Sequence, residues 1–251
     1  WMTRPIVPDP RLVSEEDKAY YREFCRDAPS TEIDETESFF IAEGTMNYHV
    51  DEFKWIVAIY DTMMNYATRA VETLDAAGEA LAGESEENRR RFIHQRNVIA
   101  MLRAIWRTQR NVLRCGSIIE FFTGEKKDSY WNVVTKDETF LLPAAYKRLF
   151  LEAVDDEMEN CREMIALIFE SETPLVNMSD RDEWFELPRD RLRWQLEEKI
   201  RLMEKHKADI DALFPGVGED PHLPPVYDWA DKCKEADRAI RLEDMEAIKG
   251  R

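Results

Sequence analysis

Six arginines are the side chains whose type and spacing could act together. Arg89, Arg96, Arg103, Arg107, Arg110 and Arg114 recur at intervals of three, four and seven residues. At 100° per residue they fall in one narrow stripe of a helix. Such a row is about 38 Å long at 1.5 Å per residue. It can be a solvated face, a ladder paired with carboxylates of a neighbouring helix, or the lining of a cleft for an anionic ligand. A second stripe answers it: Glu152, Asp156, Glu159, Glu163 and Glu170 share the spacing of three and four. Residues 85–123 carry eight basic and three acidic groups, whereas residues 152–190 carry three basic and thirteen acidic. Internal pairing is therefore the expected arrangement, with Glu152, Asp156, Glu159 and Glu163 as the structural ladder. If a cleft forms instead, Arg103, Arg107, Arg110 and Arg114 are the candidate ligand-binding residues.

Other site chemistry finds little support. A di-metal carboxylate bundle needs a Glu-x-x-His pair on each of two helices, and the chain's one such spacing, Glu219 to His222, holds Pro221 and lies in the proline-rich strap. His206 with Asp209, and His49 with Glu52, have helical spacing but no visible third ligand. His94 lies toward apolar positions and suits a core histidine. Neither a metal nor a cofactor is expected. No G-x-S-x-G, Walker A, G-x-G-x-x-G or H-E-x-x-H motif occurs. Seven tryptophans and eight tyrosines could stack on sugars, but aromatics at helical spacing are core-forming first.

The elements that must carry these residues are helices. Leu, Glu, Arg, Ala and Met dominate, glycines number 8, and β-branched runs are missing. The proline-bearing residues 1–13 read as an extended surface arm. Ser14-Glu15-Glu16-Asp17 opens a short helix. From Val50 to Leu81 the apolar positions Phe53, Val57, Tyr60, Met64, Ala67, Val71 and Leu74 step by three or four. Gly83-Glu84-Ser85 is the turn into the central helix, Ser85 to Thr123, so the two should form an antiparallel hairpin. Beside its arginines that helix is apolar nearly all round, at Ile93, Val98, Met101, Leu102, Ile105, Val112, Leu113, Ile119 and Phe122. It should therefore be central and buried. A third helix runs from about Lys136 to Glu170, with Pro143 suited to a first turn. A fourth runs from Pro188 to Phe214 and is stopped by Pro215-Gly216. A last amphipathic helix spans about Asp228 to Ile248. The predicted fold is all-α, an elongated bundle of four long helices with shorter flanking ones. Residues 1–214 form the bundle with its N-terminal arm; 215–251 form a proline-rich strap and a C-terminal helix on the same domain.

The 251 residues are 44% hydrophobic, enough for a sizeable core, and carry a net charge of −17. That charge repels phosphates, so nucleic acid is not an expected partner. No apolar run approaches a membrane span. Trp1 to Pro10 lacks the apolar core of a signal peptide, so a soluble, cytoplasmic protein is expected. Cys25, Cys115, Cys161 and Cys233 form no C-x-x-C pair and read as buried thiols rather than disulfides.

The stretches YWNVVTKDETFLLP, DDEMENCREMIALI, SETPLV and LEEKIRLMEKHKADIDALFP lie between Tyr130 and Pro215. Together they resemble the helical C-terminal regions of large bacterial proteins that carry glycoside hydrolase-type domains. The resemblance implies an accessory helical module beside a carbohydrate-active part, and it carries over no catalytic carboxylate. The expected role is thus a structural or interaction module of a larger assembly, with a protein or carbohydrate partner. A small-molecule enzyme or binding protein, with an arginine-lined anion or sugar site between helices, is the alternative.

Overall fold

A computed structural model describes residues 2–9, 12–17, 50–123, 143–171, 175 and 189–218. Those residues are all-α, with no strand among them. The long helices are α1 (Val50–Gly78), α2 (Glu86–Thr123), α3 (Pro143–Glu170) and α4 (Arg189–His206), followed by the single-turn α5 (Ile210–Leu213). Among the described residues no helix is long and apolar enough to cross a membrane. The chain divides into two compact units. The first takes 2–9, 12–17, 50–53, 111–123, 143–158 and 197–218; the second takes 54–110, 159–171, 175 and 189–196.

In the second unit α1 buries Val57, Met64, Ala67 and Val71 at the expected spacing. After Gly78 the backbone tightens into a 3-10 turn, Glu79–Gly83. Ser85 then caps α2: its hydroxyl accepts the Asn88 N–H at 3.3 Å, satisfying a donor the helix cannot. Glu86 and Glu87 follow in the first turn, where acids favour the helix dipole. Arg96 pairs with Asp75, and Arg110 with Asp61. The partners run in opposite order along α1 and α2, so the hairpin is antiparallel.

The first half of α2 corrects the expectation of burial all round. Its buried face is Asn97, Ala100, Met101, Ala104 and Thr108, whereas Ile93 and Leu102 are exposed. Against that face α3 supplies Asn160, Cys161, Met164, Leu167 and Ile168 to the same core. Asn160 Nδ2 donates to the Ala104 carbonyl at 2.8 Å and to Thr108 Oγ1 at 3.0 Å. The small side chain of Ala104 leaves that carbonyl within reach.

In the first unit α2 buries Asn111, Val112, Leu113, Cys115, Ile118 and Ile119. They share the core with Phe150, Ala153, Val154, Glu157 and Met158 of α3. Pro143 is the first residue of α3, where its missing N–H costs nothing. Residues 136–142, expected to begin that helix, lie outside the described residues, as do the strap beyond 218 and the predicted C-terminal helix. α4 is shorter than expected. It ends at His206, passes through a 3-10 turn (Lys207–Asp209) and resumes as α5. His206 Nδ1 lies 2.6 Å from Asp209 Oδ2 across that turn. Gly216, at φ 73°, ends the run in the left-handed region that a side chain disfavours.

The N-terminal arm also differs from expectation. Ile6 and Val7 are essentially inaccessible, and Asp9 and Val13 are buried. Pro5 and Pro8 lack an N–H to satisfy, so the segment can enter a core as extended chain. Ser14 begins the following turn: its hydroxyl accepts from the Asp17 N–H and donates to the Asp17 carboxylate at 2.8 Å. The Asp17 N–H is thereby capped, one half of the capping box that Ser-x-x-acid sequences make; the carboxylate meets the Ser14 hydroxyl.

Candidate functional site

The arginine row is used within the second unit. Arg103 Nη2 and Arg107 Nη1 both reach Glu163, at 3.5 and 2.8 Å. Arg110 instead pairs with Asp61 of α1 at 2.9 Å, with both side chains largely covered. Arg96 makes a two-pronged contact with Asp75, from Nε at 2.9 Å and Nη2 at 3.2 Å. Those hydrogen bonds hold the Asp75 carboxyl below its ordinary range, against a smaller opposing effect of burial. A single helix thus distributes its guanidiniums to two neighbours, because a stripe some 60° wide faces both flanks. Arg114 is half-buried in the first unit. Of the predicted ladder acids, Glu163 takes two of the arginines. Glu152 pairs with Arg148 and Glu159 with Arg162, both on α3 itself. Asp156 accepts from Asn111 Nδ2 at 2.8 Å.

At the α1–α2 turn the second unit opens a cleft of about 340 Å³. Arg89, Phe92, Ile93, Arg96 and Asn97 come from α2, Asp75 and Gly78 from α1, Leu81 from the 3-10 turn, and Glu170 from the end of α3. Two residues of the arginine stripe, Arg89 and Arg96, line this cleft.

The first unit holds a different polar cluster. Lys199 and Glu157 form an ion pair with neither side chain accessible. Asn111 Nδ2 donates to Glu157 Oε2 at 3.0 Å, and Lys199 Nζ donates to the Met2 carbonyl at 2.9 Å. Buried charges require this degree of pairing. Cys115 lies in the same core, its thiol pushed well up by burial and then by the Glu157 charge, with Arg114 opposing. Nearby in sequence, Asp17 receives Arg201 at 2.7 Å and Lys205 at 2.5 Å. Burial would raise its carboxyl, but hydrogen bonds from Lys205, Arg201 and Ser14 outweigh burial and hold it well below the usual range.

The sequence carried one unused signal for this cluster. Lys199 stands on the stripe Leu192, Leu196, Met203, and Glu157 on the stripe Phe150, Val154, Cys161. An ion at a core position of a helical period requires a buried partner.

The fold and its polar clusters define an all-α protein with internally paired charges. Compared with family models, curated proteins and solved structures, the chain finds no match.

Proposed function

We propose that this chain is a structural or interaction module, a helical subunit or accessory domain of a larger assembly, with its four long helices forming a bundle. The observation that carries this reading is the use of the arginine row. Arg96, Arg103, Arg107 and Arg110 each meet a carboxylate of their own chain, so the feature best suited to an anionic ligand serves the fold.

Surface chemistry supports the same reading. Ile59, Tyr66, Leu102, Phe169 and Trp194 of the second unit are exposed. Ile59 and Tyr66 are seven residues apart on α1 and so share a face. The Arg193 guanidinium sits 5.2 Å over the Phe169 ring, beside Trp194 in sequence. Aromatic residues and arginine are the usual anchors of protein interfaces. The net charge of −17 favours a partner with a basic surface and disfavours nucleic acid. Support for a carbohydrate-active setting comes from the resemblance of residues 130–215 alone.

A photo-crosslinking amino acid at Tyr66 or at Trp194, expressed at native level, tests the reading. It should give one reproducible protein adduct at each position and none at Glu72, an exposed charged position of α1. No adduct at either aromatic position would refute the interaction role.

A further inference from the structure

The N-terminal arm lies in the first unit on unusual terms. Pro5, Ile6, Val7, Pro8 and Asp9 form one unbroken buried run. Buried backbone normally finds hydrogen-bond partners. Among the described residues, however, Pro5, Ile6, Val7 and Pro8 make no hydrogen bond. Proline needs no partner for its nitrogen. The N–H and C=O groups of Ile6 and Val7 do need partners, and these residues are only 1% and 0% exposed. An enclosed amide without a partner costs about as much as burying one apolar side chain returns. The two effects oppose each other along Ile6 and Val7, so this stretch docks with little net advantage.

The two ends of the arm are held differently. Asp17 receives both Arg201 and Lys205 of α4, and the Ser14 hydroxyl donates to it as well. At the other end Lys199 Nζ donates to the Met2 carbonyl at 2.9 Å. That contact covers the Lys199–Glu157 pair, neither of whose side chains is accessible. Beneath the arm at this point lies charge rather than an apolar wall. Water taking the place of the Met2 carbonyl would solvate Lys199 and relieve part of the desolvation that the pair bears. Uncovering such a place costs less than uncovering an apolar core.

We propose that the arm is a releasable strap. Anchored at Asp17, residues 2–9 leave the first unit while its helices stay folded, and water then reaches the Lys199–Glu157 pair. Local openings of this kind draw on segments with few backbone hydrogen bonds to the rest of the fold. The helices of the same unit keep their own hydrogen-bonded ladders whether the arm is docked or not.

The test is site-resolved chemical modification of the full chain, read by peptide mass spectrometry. With Cys25 and Cys233 replaced by serine, Val7→Cys places a thiol under the strap, and the buried Cys115 of α2 reports opening of the helices. In native buffer the Val7→Cys thiol should react about 100-fold faster than Cys115, yet well below the rate of unfolded chain. On adding about 1 M urea its rate should change less than about twofold, because a short strap exposes little surface. That of Cys115 should rise about fivefold or more, because opening the helices exposes much. Acylation of Lys199 by an amine-reactive ester needs no substitution, and in the parent chain it should show the same weak dependence on urea. Rates for Val7→Cys and Lys199 that climb in step with Cys115 would overturn the proposal, since the arm would then open only with the helices. So would a Val7→Cys thiol that reacts as fast as unfolded chain, or a Lys199 amine that follows Cys115 while that thiol does not.

Discussion

Lys199 Nζ lies 2.5 Å from Glu157 Oε1, and water reaches neither side chain. The pair joins α4 to α3 within the first unit, and through the Met2 carbonyl it also fixes the N-terminal arm. Removing two ions from water costs several kcal/mol each, so the pair contributes little net stability even though either member alone is costly.

Lys199→Met should therefore destabilise the protein by about 3–5 kcal/mol, because Glu157 is left buried and charged without its cation. Adding Glu157→Leu should recover most of that loss, since two apolar side chains of similar size need no pairing. Urea unfolding of the two single variants and the double variant measures both effects. A cost below about 1 kcal/mol for Lys199→Met would mean that water enters when the lysine leaves.

The arginine ladder should be graded by exposure. The Arg110–Asp61 side chains are 15% and 12% exposed, those of Arg103–Glu163 28% and 37%. Double-mutant cycles to alanine should give the Arg103–Glu163 pair a coupling of about 0–1 kcal/mol. Arg110–Asp61 should exceed it and weaken less on adding salt, because screening acts mainly through solvent. Equal couplings with equal salt dependence would show that burial does not rank these pairs.

Asp17 sets a pH dependence whose sign follows from its environment. Its carboxyl is held below the ordinary range in the folded chain by Lys205, Arg201 and Ser14, despite its burial. A depressed carboxyl stabilises the fold once the unfolded chain has ionised, above a pKa of about 3.9. That contribution is fully present at about pH 6 and declines as the pH falls through 4 toward the lower folded value. The stability difference between the parent and Asp17→Asn should accordingly shrink on acidification between about pH 5 and 3. A difference that stays constant over that window would place the ionised form outside the stabilising network.

Cys115 and Cys161 are free thiols with no accessible surface, as their place on apolar helical faces predicts. With Cys25 and Cys233 replaced by serine, a thiol reagent should label the two only as fast as the protein opens. Labelling should accelerate in parallel with urea unfolding. Complete modification within the mixing time in native buffer would contradict their burial.

Local order was legible because it depends on neighbours a few residues away. The period of Val57, Met64, Ala67 and Val71 predicts α1. Ser14, Ser85, Pro143 and Gly216 punctuate helices for reasons confined to one turn of backbone. Of the cleft, the sequence made Arg89 and Arg96 visible as members of one stripe. It did not connect them to Asp75, which comes from α1.

Tertiary structure decided which charges meet. A helical period fixes the face a side chain occupies, not the rotation or register of the neighbouring helix. Arg110 therefore goes to Asp61 on α1 while Arg107 goes to Glu163 on α3, although both arginines lie in one stripe. The same holds for the arm: its prolines predict extended chain, but only packing determines that Ile6 and Val7 are buried. Burial of Lys199 with Glu157 is the extreme case. By itself each residue is a charge that belongs in water, and only the position of the other makes the interior tolerable.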